Sequence, residues 1–147
     1  MKLFYISLGI CFMMIACGKD KPDAQKQKTI TIDSFTDLPG EIDGCSCVFS
    51  EDSVSYAKGL YIYGNDFAET SFMKIDGKLV RLMETEHSKP DSLTTISKSE
   101  GAGYKVEISA TIIHTTDLEY NEMKGSITIK SSRGQAVTKT IYGACGC

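Results

Sequence analysis

The chain has no basic stripe and no arginine cluster; Arg81 and Arg133 are its only arginines. The formal net charge is −3 and the signs are mixed along the sequence, so nothing in it points to nucleic acid. Histidine is scarce too, with only His87 and His114. No Ser stands in a nucleophile elbow, so a Ser-His-Asp triad has no sequence support. Glu84, Glu86, Asp117 and Glu119 could in principle supply paired carboxylates. Charges near strand ends are ordinarily solvated, and we read these so. Likewise His87 reads as a solvated strand-end residue. No internal repeat is visible. Apolar spacing of 3.6 residues is missing throughout; only Ser50–Ala57 and Thr116–Met123 could hold a helical turn. Beyond the first sixteen residues no apolar run is long enough to span a bilayer.

Those first residues are a different matter. Lys2 is followed by an uncharged, mostly apolar stretch that ends at Met14-Ile15-Ala16-Cys17. A single positive charge and a short apolar run make a signal peptide over residues 1–16. The stretch Met14-Ile15-Ala16-Cys17 resembles the lipobox of bacterial lipoproteins: branched apolar, then small, then the obligatory Cys. Met14 departs from the usual Leu. That resemblance implies cleavage before Cys17 and attachment of acyl chains, palmitate among them, to Cys17. Cys11 follows Ile10, which is not small, and is lost with the signal. Several acyl chains anchor a protein stably where one does not. Lys19-Asp20 resembles the short Lys-acidic export tag of surface lipoproteins in the Bacteroidota. We therefore expect a bacterial envelope protein held by its lipid anchor, on the outer membrane, at its periplasmic or its surface face. Residues 17–28 are almost wholly polar and cannot bury enough apolar area to offset their ordering entropy, so they read as a flexible tether.

From Thr29 to Cys147 the texture is β. The runs Thr29–Ile32, Cys45–Phe49, Leu60–Gly64, Phe67–Ile75, Lys78–Glu86, Gly103–Thr115, Gly125–Ser131 and Val137–Cys147 are rich in Ile, Val, Thr, Tyr and Phe. Between them lie Gly, Asp, Asn or Ser, and Phe35–Gly44 reads mostly as turn. Ile75-Asp76-Gly77-Lys78 suits a two-residue hairpin, and Ser131-Ser132-Arg133-Gly134 reads the same way. In the longest run Tyr104, Val106, Ile108, Ala110 and Ile112 share one face, and His114 continues that inward line. Ile127 and Ile129 alternate with polar neighbours in the same manner. The expected fold is all-β: a single antiparallel β-barrel or sandwich of about seven or eight strands over residues 29–147.

Four cysteines remain: Cys45, Cys47, Cys145 and Cys147. They form two Cys-x-Cys pairs, and residues i and i+2 of a strand share a face. If the two segments lie antiparallel and in register, Cys45 meets Cys147 and Cys47 meets Cys145. Opposed Cα atoms then sit ~4.5–5.5 Å apart, inside the disulfide range. The parallel alternative, Cys45–Cys145 with Cys47–Cys147, stays open at this stage. Zinc or Cu(I) is the competing use of four thiols. Structural zinc pairs are usually spaced by two to four residues, however, and an exported domain meets an oxidising medium. A redox-active Cys-x-Cys lacks the basic neighbours that lower a thiol pKa. We expect structural disulfides that close the domain, with no metal and no cofactor.

Ser99-Glu100-Gly101-Ala102-Gly103-Tyr104 resembles the Ser-Gly-x-x-Tyr loop of the membrane-bound inhibitors of c-type lysozyme, a family of small β-barrel lipoproteins. That resemblance would make Ser99, Gly101, Gly103 and Tyr104 a protruding binding loop; the alternative is a glycine-rich turn entering a strand. The stretches Leu38–Cys47 and Phe72–Gly77, with the Cys-Gly-Cys ending, look like a group of uncharacterised Bacteroidota lipoproteins, which implies no activity. The expectation is a non-enzymatic envelope protein that binds a protein, a glycan or a small ligand. Its rivals are a lysozyme-type inhibitor and an envelope hydrolase. A hydrolase would need a concave pocket with convergent carboxylates or a Ser-His pair.

Overall fold

The structure, a computed structural model, describes residues 29–116 and 119–147. The signal peptide, Cys17 and the tether lie outside the described residues, as does Asp117. Nine strands form one sheet: β1 Ile32–Asp33, β2 Ser46–Ser50, β3 Tyr63–Asn65, β4 Thr70–Ile75, β5 Lys78–Ser88, β6 Thr94–Gly101, β7 Tyr104–Thr115, β8 Asn121–Ser131 and β9 Ala136–Gly146. From β2 to β9 each strand pairs antiparallel with the next, and β9 returns to pair with β2. The domain is therefore a closed eight-stranded up-and-down barrel, not a sandwich. Closure gives each of those strands a partner on both sides. The short β1 extends the edge of β4 beyond β3, pairing Ile32 with Ile75.

Strict alternation produces this closure. Val80 and Leu82 of β5, Val106, Ile108 and Ala110 of β7, and Ile127 and Ile129 of β8 all point inward and are buried. The intervening Lys, Glu, Ser and Thr make the outer wall, where Lys98 pairs with Glu86 and Lys105 with Glu100, each at 2.9 Å. Such exposed pairs contribute little stability and mainly set solubility.

The barrel has two unlike poles. The lower pole carries three tight turns. Ile75-Asp76-Gly77-Lys78 is the expected two-residue hairpin, with Asp76 at φ 50° and Gly77 at φ 78°. Gly101-Ala102-Gly103-Tyr104 is a second of the same form. The turn after Ser131 is a hairpin, but with three loop residues: Gly134 donates to the Ser131 carbonyl and Ser131 to that of Gln135. Thr31 binds Asp76 at this pole through its amide and hydroxyl, and Ile30 and Ile32 join the interior cluster. The chain therefore enters the barrel from below. The upper pole carries the disulfides, the loops 66–69 and 89–93, and Thr116, Glu119 and Tyr120.

Several boundaries move. Strand β6 has no counterpart among the sequence-derived runs, and β8 begins at Asn121 rather than Gly125. Phe67 sits in a turn at φ 57°, so β4 starts only at Thr70. Of the two candidate helical stretches, one holds the single turn α1, Ser53–Ala57, capped by Asp52, whose carboxylate accepts from Ser55 N at 2.7 Å. Among the described residues no helix is long and apolar enough to cross a membrane.

Candidate functional site

The lower half of the interior is filled by Ile62, Met73, Ile75, Leu82, Ile127 and Ile129, each almost completely buried. The upper half is not filled. Its inward positions carry smaller or polar side chains: Thr95 and Ser97 on β6, Ala110 on β7 and Asn65 on β3. A cavity of about 340 Å³ results, opening at the upper pole. That volume lies at the small end of the ~300–1,000 Å³ usual for small-molecule sites.

Its two sides differ chemically. Phe49, Ile108, Ala110, Ile112 and Met123 make an apolar wall, joined by the Cys47–Cys145 disulfide. Opposite stand Tyr63, Asn65, Thr95 and Ser97. Asn65 is used structurally: its side-chain oxygen accepts from the Cys47 amide at 3.0 Å, and its amide nitrogen donates to the Tyr63 hydroxyl at 3.4 Å. Tyr63 is only 2% exposed. Burial pushes its phenol above the usual tyrosine range, partly offset by its hydrogen-bonding neighbours. A raised folded-state value means that stability is complete below pH ~10 and falls as pH rises toward the folded value, because the unfolded phenol ionises first. In an alkaline titration followed by phenolate absorbance, we expect Tyr63 to ionise last, together with loss of near-ultraviolet dichroism. Ionisation of every tyrosine with that dichroism intact would contradict its burial.

Two β-bulges decide where the histidines go. In β5 the register slips between Glu84 and Glu86, so Glu84 faces Ser99 and His87 faces Ser97, both inward. Without the bulge these two side chains, three apart, would lie on opposite faces. His87 Nδ1 lies 3.4 Å from Glu84 Oε2 at the cavity mouth, and Lys89 lines the same mouth. In β7 the slip between Ile112 and His114 works the other way. His114 is placed opposite Glu122, whose carboxylate accepts from Tyr142 on the outer wall. The expected inward position of His114 is thus corrected: it is exposed. His87 is exposed at the end of β5, as read, and it also lines the cavity; Glu84, read as solvated, is half-buried there. Glu86 lies outside, paired with Lys98.

The four cysteines form Cys45–Cys147 and Cys47–Cys145, the antiparallel, in-register connectivity, with Cα atoms 4.0 Å apart in each. They join β2 to β9 at the cavity mouth. The Ser99–Tyr104 segment is not a protruding loop. Ser99 is buried within β6, Gly101 pairs with Tyr104, and only Ala102 and Gly103 form the turn. The Tyr104 hydroxyl donates to Asp76 at 3.3 Å, at the pole opposite the cavity. Ser97, His87 and Glu84 do converge in one concavity, as a hydrolase would need. Among the described residues, however, no hydrogen bond joins the Ser97 hydroxyl to His87, so the nucleophile–base link is missing.

Of the exposed large apolar side chains, Phe67 lines the cavity, whereas Tyr120 packs over Gly146 on the outer wall. No family model, curated protein or solved structure matches the chain.

Proposed function

We propose that this is a lipid-anchored protein of the bacterial envelope that holds a small amphipathic ligand in the upper half of its barrel. The cavity carries this reading: it is open at one pole, apolar on one wall and hydrogen-bonding on the other. Eight-stranded barrels of this kind are just wide enough to be filled by side chains or to hold one small ligand. Phe67 supports it further: it lines the cavity and is yet half exposed, an apolar side chain left open at the entrance. The anchor rests on the Met14–Cys17 motif and on the presence of two disulfides, which persist in oxidising compartments.

Ala110 lies on the cavity wall and is buried. An Ala110→Leu variant should fill the space from within. We expect the purified chain to enhance the fluorescence of the neutral apolar dye N-phenyl-1-naphthylamine, and Ala110→Leu to remove most of that enhancement. Undiminished dye binding by a folded Ala110→Leu variant would place the site elsewhere. For the anchor, expression in a Gram-negative bacterium should put the chain in the membrane fraction with the mass of an acylated Cys17. Cys17→Ser should move it to the soluble fraction.

A further inference from the structure

The mouth of the cavity has a polarity, which bears on the chemistry of the ligand. Among the described residues Glu84, His87 and Lys89 are the ionisable side chains, other than the Tyr63 phenol, that line it. Glu84 is the most enclosed of the first two, with its side chain 25% exposed against 46% for His87. It reaches the cavity because the inward line Val80, Leu82, Glu84 runs straight up β5 before the bulge. Its ion-pair partner among the described residues is His87, at 3.4 Å, which is long for such a bond. Lys89 stands two residues further up, at the rim.

Outside the cavity lining, the loops of this pole carry Asp66, Glu69, Asp91 and Glu119; Asp66 and Asp91 accept from backbone N–H groups of their own loops. Among their described residues Lys89 is the single Lys or Arg. A cleft bordered mainly by one sign of charge concentrates ligands of the other sign. Phe49, Tyr63 and Phe67 also line the cavity, and aromatic faces attract ammonium groups. An anionic head would meet Glu84 at the point where its apolar body reached the wall.

Building on the ligand-binding reading above, we propose that the cavity takes a small amphipathic cation. Its amine or ammonium head sits at the Glu84 carboxylate, and its apolar body lies against Ile108, Ala110, Ile112 and Met123. The ligand class is thus an alkyl- or arylamine small enough for one barrel end, not a fatty acid.

Three probes with the same tail and different heads separate the claims: octylamine, octanol and octanoate, each titrated calorimetrically below its micellar concentration at low salt. We expect octylamine to bind about tenfold more tightly than octanol, as one charge-assisted hydrogen bond allows, and octanoate to bind most weakly. Glu84→Gln keeps the shape of the side chain and should bring octylamine down to the level of octanol. Octanol affinity should stay within about twofold, which also shows that the variant is folded. Octanoate binding as tightly as octylamine would overturn the proposal and leave the cavity reading standing. So would a Glu84→Gln variant with undiminished octylamine affinity. Failure of all three probes to bind would remove the cavity reading as well.

Discussion

Replacing all four paired cysteines by Ser should lower unfolding stability by about 4–5 kcal/mol. Replacing either pair alone should cost far less. The two disulfides span 102 and 98 residues, and closing a loop of ~100 residues restricts the unfolded chain by about 4.7 kcal/mol on the chain-entropy model. Once one bond closes that ring, the second adds almost no loop entropy, because its partners are already neighbours. Net stabilities of single domains are only ~5–15 kcal/mol, so the fully reduced barrel should be marginal. Guanidinium unfolding of the two double variants and the quadruple variant measures this directly. Losses in the two double variants that add up to the quadruple loss would show that the bonds act through local packing and not through the ring.

Gly143→Ala should cost about 3 kcal/mol or more, at the upper end for overpacking. Gly143 sits on β9 opposite Phe49 of β2. A β-carbon there would overlap the Val48 carbonyl oxygen and lie 2.8 Å from Phe49 Cα. The obstacle is backbone, so no side-chain rotation relieves it. Gly125 on β8 has the same relation to β7, where a β-carbon would lie 2.8 Å from Ala110 Cα. These two positions let neighbouring strands approach closely where the barrel turns, a usual role for glycine inside a strand. The readout is the denaturant midpoint of each Ala variant. A wild-type midpoint would mean that β8 and β9 can shift at no cost.

The fold was legible where one rule sufficed. Val106–Ala110 and Ile127–Ile129 alternate with polar residues, and that alone separates interior from exterior. The sums of Cys45 with Cys147 and of Cys47 with Cys145 are equal, so an antiparallel seam pairs them in register. Strand β6 was hidden because its inward positions are Thr95, Ser97 and Ser99, which leave no apolar alternation to read. Those hydroxyls face inward beside the cavity, so the cue that was missing is part of what makes the site. The bulges were hidden for another reason. Both arise from how two strands share a ladder, and neither Thr85 nor Ile113 announces one. As a result His114 left its expected inward place, and His87, still exposed, came to line the cavity. The tight turn at Gly101–Tyr104 was readable as a glycine-rich turn, and the barrel uses it as that.

The chain enters beside the Asp76 turn, and the cavity opens at the other pole. An eleven-residue strand such as β9 rises ~3.3 Å per residue, so a tilted barrel stands about 25–30 Å tall. The point where the chain enters and the opening are thus separated by the full height of the wall. The segment before Thr29 can therefore be shortened or exchanged without reshaping the mouth.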